Sequence, residues 1–73
     1  MEIELLTTVG CHLCEEAEWM VRRAVPRARI QAVDVAEDDE LLEQWGERIP
    51  VLRYGERTLC WPFSLVDIRA LVE

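Results

Sequence analysis

The chain has 73 residues, 51% of them apolar, so we expect one packed domain over residues 1–73 with a single modest core. Fifteen acidic residues stand against eight basic ones, all arginine, and the resulting net charge of −7 argues against nucleic-acid binding, which normally needs a basic surface. No apolar run approaches the roughly 18 residues that span a bilayer, so we expect no membrane partner either.

The first half of the chain alternates between strand and helix patterns. Residues 1–8 begin with alternating apolar side chains and predict a buried strand, and Gly10 marks a turn after it. Apolar side chains then recur every three or four positions over residues 11–25, which predicts an amphipathic helix that ends at Pro26. Residues 29–35 alternate again and predict a second strand.

The second half adds a short helix and a hairpin. An acidic run at residues 37–40 opens a helix that continues through Trp45, and the glycine after it is a natural helix stop. Residues 51–54 and 57–60 are strand-like and flank Gly55-Glu56, a link that permits positive φ and therefore predicts a tight antiparallel hairpin.

A final helix is indicated by its start signals. Ser64 and Asp67 have capping-box spacing, while Phe63 and Ile68 stand where a hydrophobic staple would place them. The element order is therefore β-α-β-α-β-β-α. A right-handed crossover between the first two strands, completed by the hairpin, gives an α/β fold: a four-stranded mixed sheet with helices on both faces, as in a minimal thioredoxin fold.

The segment Cys11-His12-Leu13-Cys14 carries the chemistry of the chain, because it puts two thiols three positions apart where a strand passes into a helix. Such a pair is able to close a small disulfide, and the positive end of the helix dipole favours a thiolate on the first sulfur. Inert buried thiols and a shared iron–sulfur cluster are the alternatives. A zinc half-site is a further alternative, but we do not expect a structural zinc site, which needs four ligands, because the chain offers only Cys11, His12, Cys14 and the distant Cys60.

Two motifs give the chain a family resemblance. Gly-Cys-His-Leu-Cys-Glu-Glu-Ala at positions 10–17 and Arg-Ile-Pro-Val-Leu at positions 48–52, together with the element order, resemble the glutaredoxin-like family of short bacterial proteins. The resemblance implies a thiol–disulfide oxidoreductase with Cys11 as nucleophile and Cys14 as resolving thiol. It also implies a cis bond at Ile49-Pro50, which turns the backbone so that Ile49 offers its N–H and C=O to an extended thiol substrate.

The resemblance leaves the substrate open. Ordinary glutaredoxins carry a Gly-Gly pair that helps hold glutathione, whereas residues 60–63 here are Cys-Trp-Pro-Phe. Arg48 either pairs with a substrate carboxylate or is a solvated surface side chain. We expect a disulfide-containing protein or a small thiol as partner, glutathione being one candidate co-substrate, and no bound cofactor.

The remaining predictions concern the cellular compartment, the oligomeric state and whether the protein is an enzyme or a binding module. The start Met-Glu-Ile-Glu has neither the basic region nor the apolar run of a secretory signal, so we expect a cytoplasmic protein, and a monomer. Paired cysteines in a reducing compartment are more often catalytic or metal-binding than structural. The rival class is a non-enzymatic binding module that keeps the fold and meets a protein partner through the acidic surface or the region of Trp61.

Overall fold

The computed structural model describes all 73 residues and has the predicted element order. A 3₁₀ turn at Val35–Glu37 precedes the second helix. The strands and helices are β1 (Glu2–Thr7), α1 (His12–Ala24), β2 (Arg29–Asp34), α2 (Asp39–Trp45), β3 (Val51–Tyr54), β4 (Arg57–Cys60) and α3 (Leu65–Leu71).

The strands form one mixed sheet in the order β2-β1-β3-β4. β1 pairs in parallel with β2 and antiparallel with β3, and β3 and β4 form the predicted hairpin, at whose turn Gly55 adopts a φ of 62°. This confirms the α/β fold class and the four-stranded mixed sheet. None of the helices combines the length and the apolar character that a membrane crossing requires.

Side chains alternate across the sheet and build a core on each face. The larger core holds Ile3, Leu5 and Leu52, and α1 and α3 pack on it. The smaller core holds Leu6 and Val51, which α2 and the 3₁₀ turn cover. Helices therefore lie on both faces, as predicted, and β1 contributes to both cores.

Helix α1 is held to the sheet by a narrow buried stripe. Its fully or almost fully buried side chains are Cys14, Ala17, Val21 and Ala24, spaced by three or four positions as a helix requires. The helix ends just before Pro26, whose ring removes a backbone donor. Cys14 is thus part of the packing stripe as well as of the dithiol.

Local chemistry also explains the ends of the other helices. In α3 both halves of the predicted capping box are present, since the Asp67 N–H donates to Ser64 Oγ at 3.1 Å and the Ser64 N–H donates to Asp67 Oδ2 at 2.9 Å. At the end of α2, Gly46 has a φ of −52°, so its role is not the left-handed turn that helix-stop glycines usually supply. Glycine fits there because a Cβ would collide with the Leu42 carbonyl oxygen.

Candidate functional site

The two predicted cysteines form a disulfide at the start of α1. Their Cα atoms are 5.2 Å apart, within the usual range for this bond. Gly10, with a φ of 83°, turns the chain between β1 and the helix, a conformation that side chains with a Cβ rarely adopt. Cys11 is extended and serves as the N-cap of α1, so the disulfide lies where the first free backbone donors of the helix point.

The two sulfurs have different surroundings. Cys14 is 3% exposed within the packed stripe of α1, whereas Cys11 is only partly buried. The Cys14 N–H donates to Cys11 Sγ at 3.1 Å. A reagent from solution therefore reaches Cys11 first, and the sulfur that it reaches already accepts a backbone hydrogen bond.

A cavity of about 240 Å³ adjoins the disulfide on the side of β2. Its wall consists of residues 7–10, the two cysteines, Leu5, Ala32 of β2, and Glu15 and Glu18 of α1. The register of the two strands explains the opening. Ala32 lies on the edge strand β2 beside Leu5 of β1, and the small side chain of Ala32 leaves space above the sheet. The disulfide is thus bordered by a solvent-open hollow with two carboxylates.

The ionisable side chains beside the cysteines in α1 form only exposed pairs. His12 Nδ1 lies 3.6 Å from Glu15 Oε2, and these side chains are 95% and 81% exposed. Glu18 Oε1 lies 3.8 Å from Arg22 Nη2 one helix turn further on. Exposed pairs of this kind contribute little and are screened by salt. His12 is therefore a surface side chain that faces its own helix.

Pro50 is brought to the same end of the sheet as the disulfide. Val51 pairs with Leu6, so Pro50 lies beside the end of β1 from which the chain runs to Cys11. The predicted cis bond at Ile49-Pro50 is present. The Ile49 N–H, however, donates to the Trp45 carbonyl at 3.1 Å. One of the two backbone groups predicted to pair with substrate is therefore already hydrogen-bonded within the protein.

Arg48 is exposed and makes no ion pair. Its guanidinium carbon lies 5.9 Å from the ring centroid of Trp45, a cation–π arrangement at the outer limit of such contacts. Neither reading of Arg48 is tested by these contacts. The substrate roles of Arg48, Ile49 and Pro50 stay predictions.

Two further residues bear on the sequence predictions. Cys60 is a free thiol that packs against the smaller core, which fits a small apolar side chain rather than a redox partner. A second cis bond at Trp61-Pro62 was not predicted, and the Trp61 ring packs edge-on against Phe63 with centroids 5.1 Å apart.

No group of three or more His, Cys, Asp or Glu side chains is arranged to hold a metal ion.

Comparisons with known proteins agree with this architecture. The family model described as "Glutaredoxin-like domain (DUF836)" matches residues 2–73. The crystal structure of target protein XcR50 from X. campestris is 32% identical, with a TM-score of 0.86 over 96% of this chain and 93% of that one. The solution structure of XcR50 is 34% identical, with a TM-score of 0.84 over 99% and 92%. No curated protein matches the sequence.

Proposed function

This chain belongs to the glutaredoxin-like domain family, and from that premise we propose that it is a thiol–disulfide oxidoreductase with Cys11 as nucleophile and Cys14 as resolving thiol. One observation carries the proposal: the two cysteines are bonded to each other, with Cys11 accessible and Cys14 buried behind it. An accessible sulfur is able to meet a foreign disulfide, and its buried neighbour is protected from the same encounter.

The reaction proposed for the reduced protein has two exchange steps. The Cys11 thiolate attacks one sulfur of a substrate disulfide, the substrate S–S bond breaks, and the first substrate thiol leaves. The Cys14 thiolate then attacks Cys11 Sγ, which releases the second substrate thiol and forms the internal disulfide. Two electrons pass from the cysteine pair to the substrate, so no bound cofactor is required.

Two groups at the start of α1 support the first step. The Cys14 N–H that donates to Cys11 Sγ in the disulfide is in position to donate to a thiolate after reduction. The helix dipole adds about 0.3 to 2 kcal/mol in the same direction. Glu15 in the first turn and Glu16 directly after it oppose it, so we expect an activated but only moderately acidified nucleophile.

A substrate chain would lie along the Pro50 side of the disulfide. We assign its contacts to the Ile49 carbonyl, which accepts no backbone hydrogen bond, and to the exposed guanidinium of Arg48. The engaged Ile49 N–H leaves one backbone group for the pairing instead of two. Glutathione is one thiol able to use such contacts, and a cytoplasmic location would supply it.

The test is a set of single cysteine variants assayed on 2-hydroxyethyl disulfide, a neutral substrate. Cys11→Ser is expected to abolish reduction, whereas Cys14→Ser keeps the first step and accumulates a mixed disulfide visible by mass spectrometry. Cys60→Ser is the matched control and is expected to keep full activity. If Cys11→Ser stays active, the nucleophile is misassigned. A wild-type protein whose thiols neither cycle nor react with alkylating agents belongs to the rival class of binding modules.

A further inference from the structure

The cavity beside the disulfide is separate from the side on which a substrate chain was assigned. Arg48, Ile49 and Pro50 are not part of its wall, which belongs to β1, the link from β1 to α1, β2 and α1. Cys11 and Cys14 are part of the wall. The group attached to the substrate sulfur that Cys11 attacks is therefore able to lie in this cavity instead of on the Pro50 side of the disulfide.

The fixed charge of this cavity is negative. Glu15 and Glu18 are its only ionisable wall residues apart from the cysteines, and their spacing of three positions puts them on one face of α1. Arg22 and the His12 imidazole lie outside the wall and form the weak exposed pairs described above. The neighbouring strands contribute only apolar and hydroxyl side chains to the wall, so nothing there compensates the carboxylates.

The volume limits what the cavity accommodates. A volume of about 240 Å³ suits one extended side chain or a short aminoalkyl arm. Sites for drug-sized ligands start at about 300 Å³. A glutathione moiety brings two carboxylates and only one ammonium, and therefore a net negative charge, to a wall that already carries two carboxylates.

We propose that the Glu15–Glu18 cavity selects disulfides that carry a cationic group within a few bonds of the sulfur, and that it disfavours anionic disulfides such as glutathione disulfide. This inference rests on the proposed exchange activity. The chemistry is shared by small amine disulfides and by a lysine or arginine next to a disulfide-bonded cysteine. Attraction between a cation and the carboxylates raises its local concentration at the sulfur and weakens as salt is added.

The experiment compares three disulfides of similar size with different charge. Reduced full-length protein is mixed with cystamine (dication), 2-hydroxyethyl disulfide (neutral) or 3,3′-dithiodipropionate (dianion). Each rate is divided by the rate of dithiothreitol, a neutral dithiol, with the same compound, because this cancels the different leaving-group thiols. We expect the normalised dication rate to exceed the dianion rate about tenfold at low salt, and the ratio to fall towards one at high salt.

Charge-neutral variants locate the effect. Glu15→Gln combined with Glu18→Gln is expected to lower the dication-to-dianion ratio about threefold or more. Glu16→Gln is the matched control for Glu15→Gln alone, since each removes one charge from the same helix turn but the Glu16 side chain is outside the wall. An equal drop in the control would overturn the inference, because overall charge rather than the cavity would then explain the ratio.

The outcomes separate this inference from the function on which it depends. If the neutral disulfide is not reduced, the exchange activity itself is wrong. If it is reduced but the normalised ratio is close to one at low salt, the activity stands and the selectivity is wrong. Two peptide disulfides that differ only in an arginine or a glutamate beside the cysteine identify the source: a preference for the arginine peptide indicates a protein substrate, and a preference confined to cystamine indicates a small amine.

Discussion

The ion pair between Glu4 and Arg53 joins the strand that leads to the disulfide with the strand that follows Pro50. The two residues stand opposite each other in the register of β1 and β3. Arg53 Nε donates to Glu4 Oε1 at 2.8 Å and Nη2 donates to Oε2 at 3.2 Å, a bidentate arrangement. We expect Glu4→Gln to destabilise the protein at neutral pH by breaking it.

The expected loss of stability in Glu4→Gln follows from the exposure of the two side chains, and its pH dependence follows from their pKa values. The hydrogen bond from Arg53 holds the pKa of Glu4 below its usual 4.5, while partial burial acts against this and the charge of Arg53 adds to it. In turn, the hydrogen bond to Glu4 raises the pKa of Arg53. The side chains are 36% and 28% exposed, so screening limits the pair to about 0.5 to 1 kcal/mol, the upper part of the range for surface pairs.

The direction of the pH dependence follows from the difference in the pKa of Glu4 between the folded and the unfolded protein. Because the pKa of Glu4 is lower in the folded than in the unfolded protein, its stabilisation is complete above the unfolded value of about 4.5. It is lost as the pH falls through the folded pKa. The difference in stability between wild type and Glu4→Gln should therefore be present at neutral pH and vanish at about pH 2.

The assay is urea unfolding of the oxidised protein at both pH values, followed by tryptophan fluorescence. A double-mutant cycle with Arg53→Gln isolates the pair from other effects of each change. Glu2→Gln, on the same strand but without an ion pair, is the control and is expected to change stability by less than about 0.5 kcal/mol. A coupling energy indistinguishable from zero, or a Glu4→Gln effect that is equal at both pH values, would refute the reasoning.

Three other outcomes are expected. In the reduced protein, iodoacetamide should modify Cys11 at least about tenfold faster than Cys14, which is 3% exposed; similar rates measured by peptide mass spectrometry would contradict the assigned roles. Ile68→Ala, at a fully buried position, should cost about 2 to 5 kcal/mol of unfolding free energy in urea, against less than about 0.5 for Val66→Ala on the exposed face of the same helix. Ser64→Ala should cost about 0.5 to 2 kcal/mol in the same assay and Ser64→Thr much less, and equal losses would argue against the capping box.

Features set by short-range chemistry were predictable from the sequence. The capping box of α3 needs only two side chains three positions apart, and both of its hydrogen bonds are present. The strand from Glu2 to Thr7 is indicated by its apolar side chains, two of which face one core and one the other. The location of Cys14 on the buried stripe of α1 follows from helical spacing alone.

Features set by long-range register were not predictable. The cavity exists because Ala32 of β2 stands beside Leu5, and no local pattern states which residues of two strands become neighbours. The hydrogen bond between the Ile49 N–H and the Trp45 carbonyl depends on how the chain leaves α2.

The start of α1 combines two opposing electrostatic effects, and this links the reactivity of the dithiol to its selectivity. The dipole and the Cys14 N–H favour a Cys11 thiolate, whereas Glu15 repels the same charge. Removing the carboxylates of the cavity wall should therefore do two things at once: it lowers the pKa of the Cys11 thiol in the reduced protein, and it weakens the attraction for cationic substrates. The two effects are separable, because the first changes the thiolate absorbance and the rates with all three disulfides alike. The second changes only the ratio between the rates with the dication and the dianion. A variant that changed both rates by the same factor would therefore show that the carboxylates act on the Cys11 sulfur and not on the substrate.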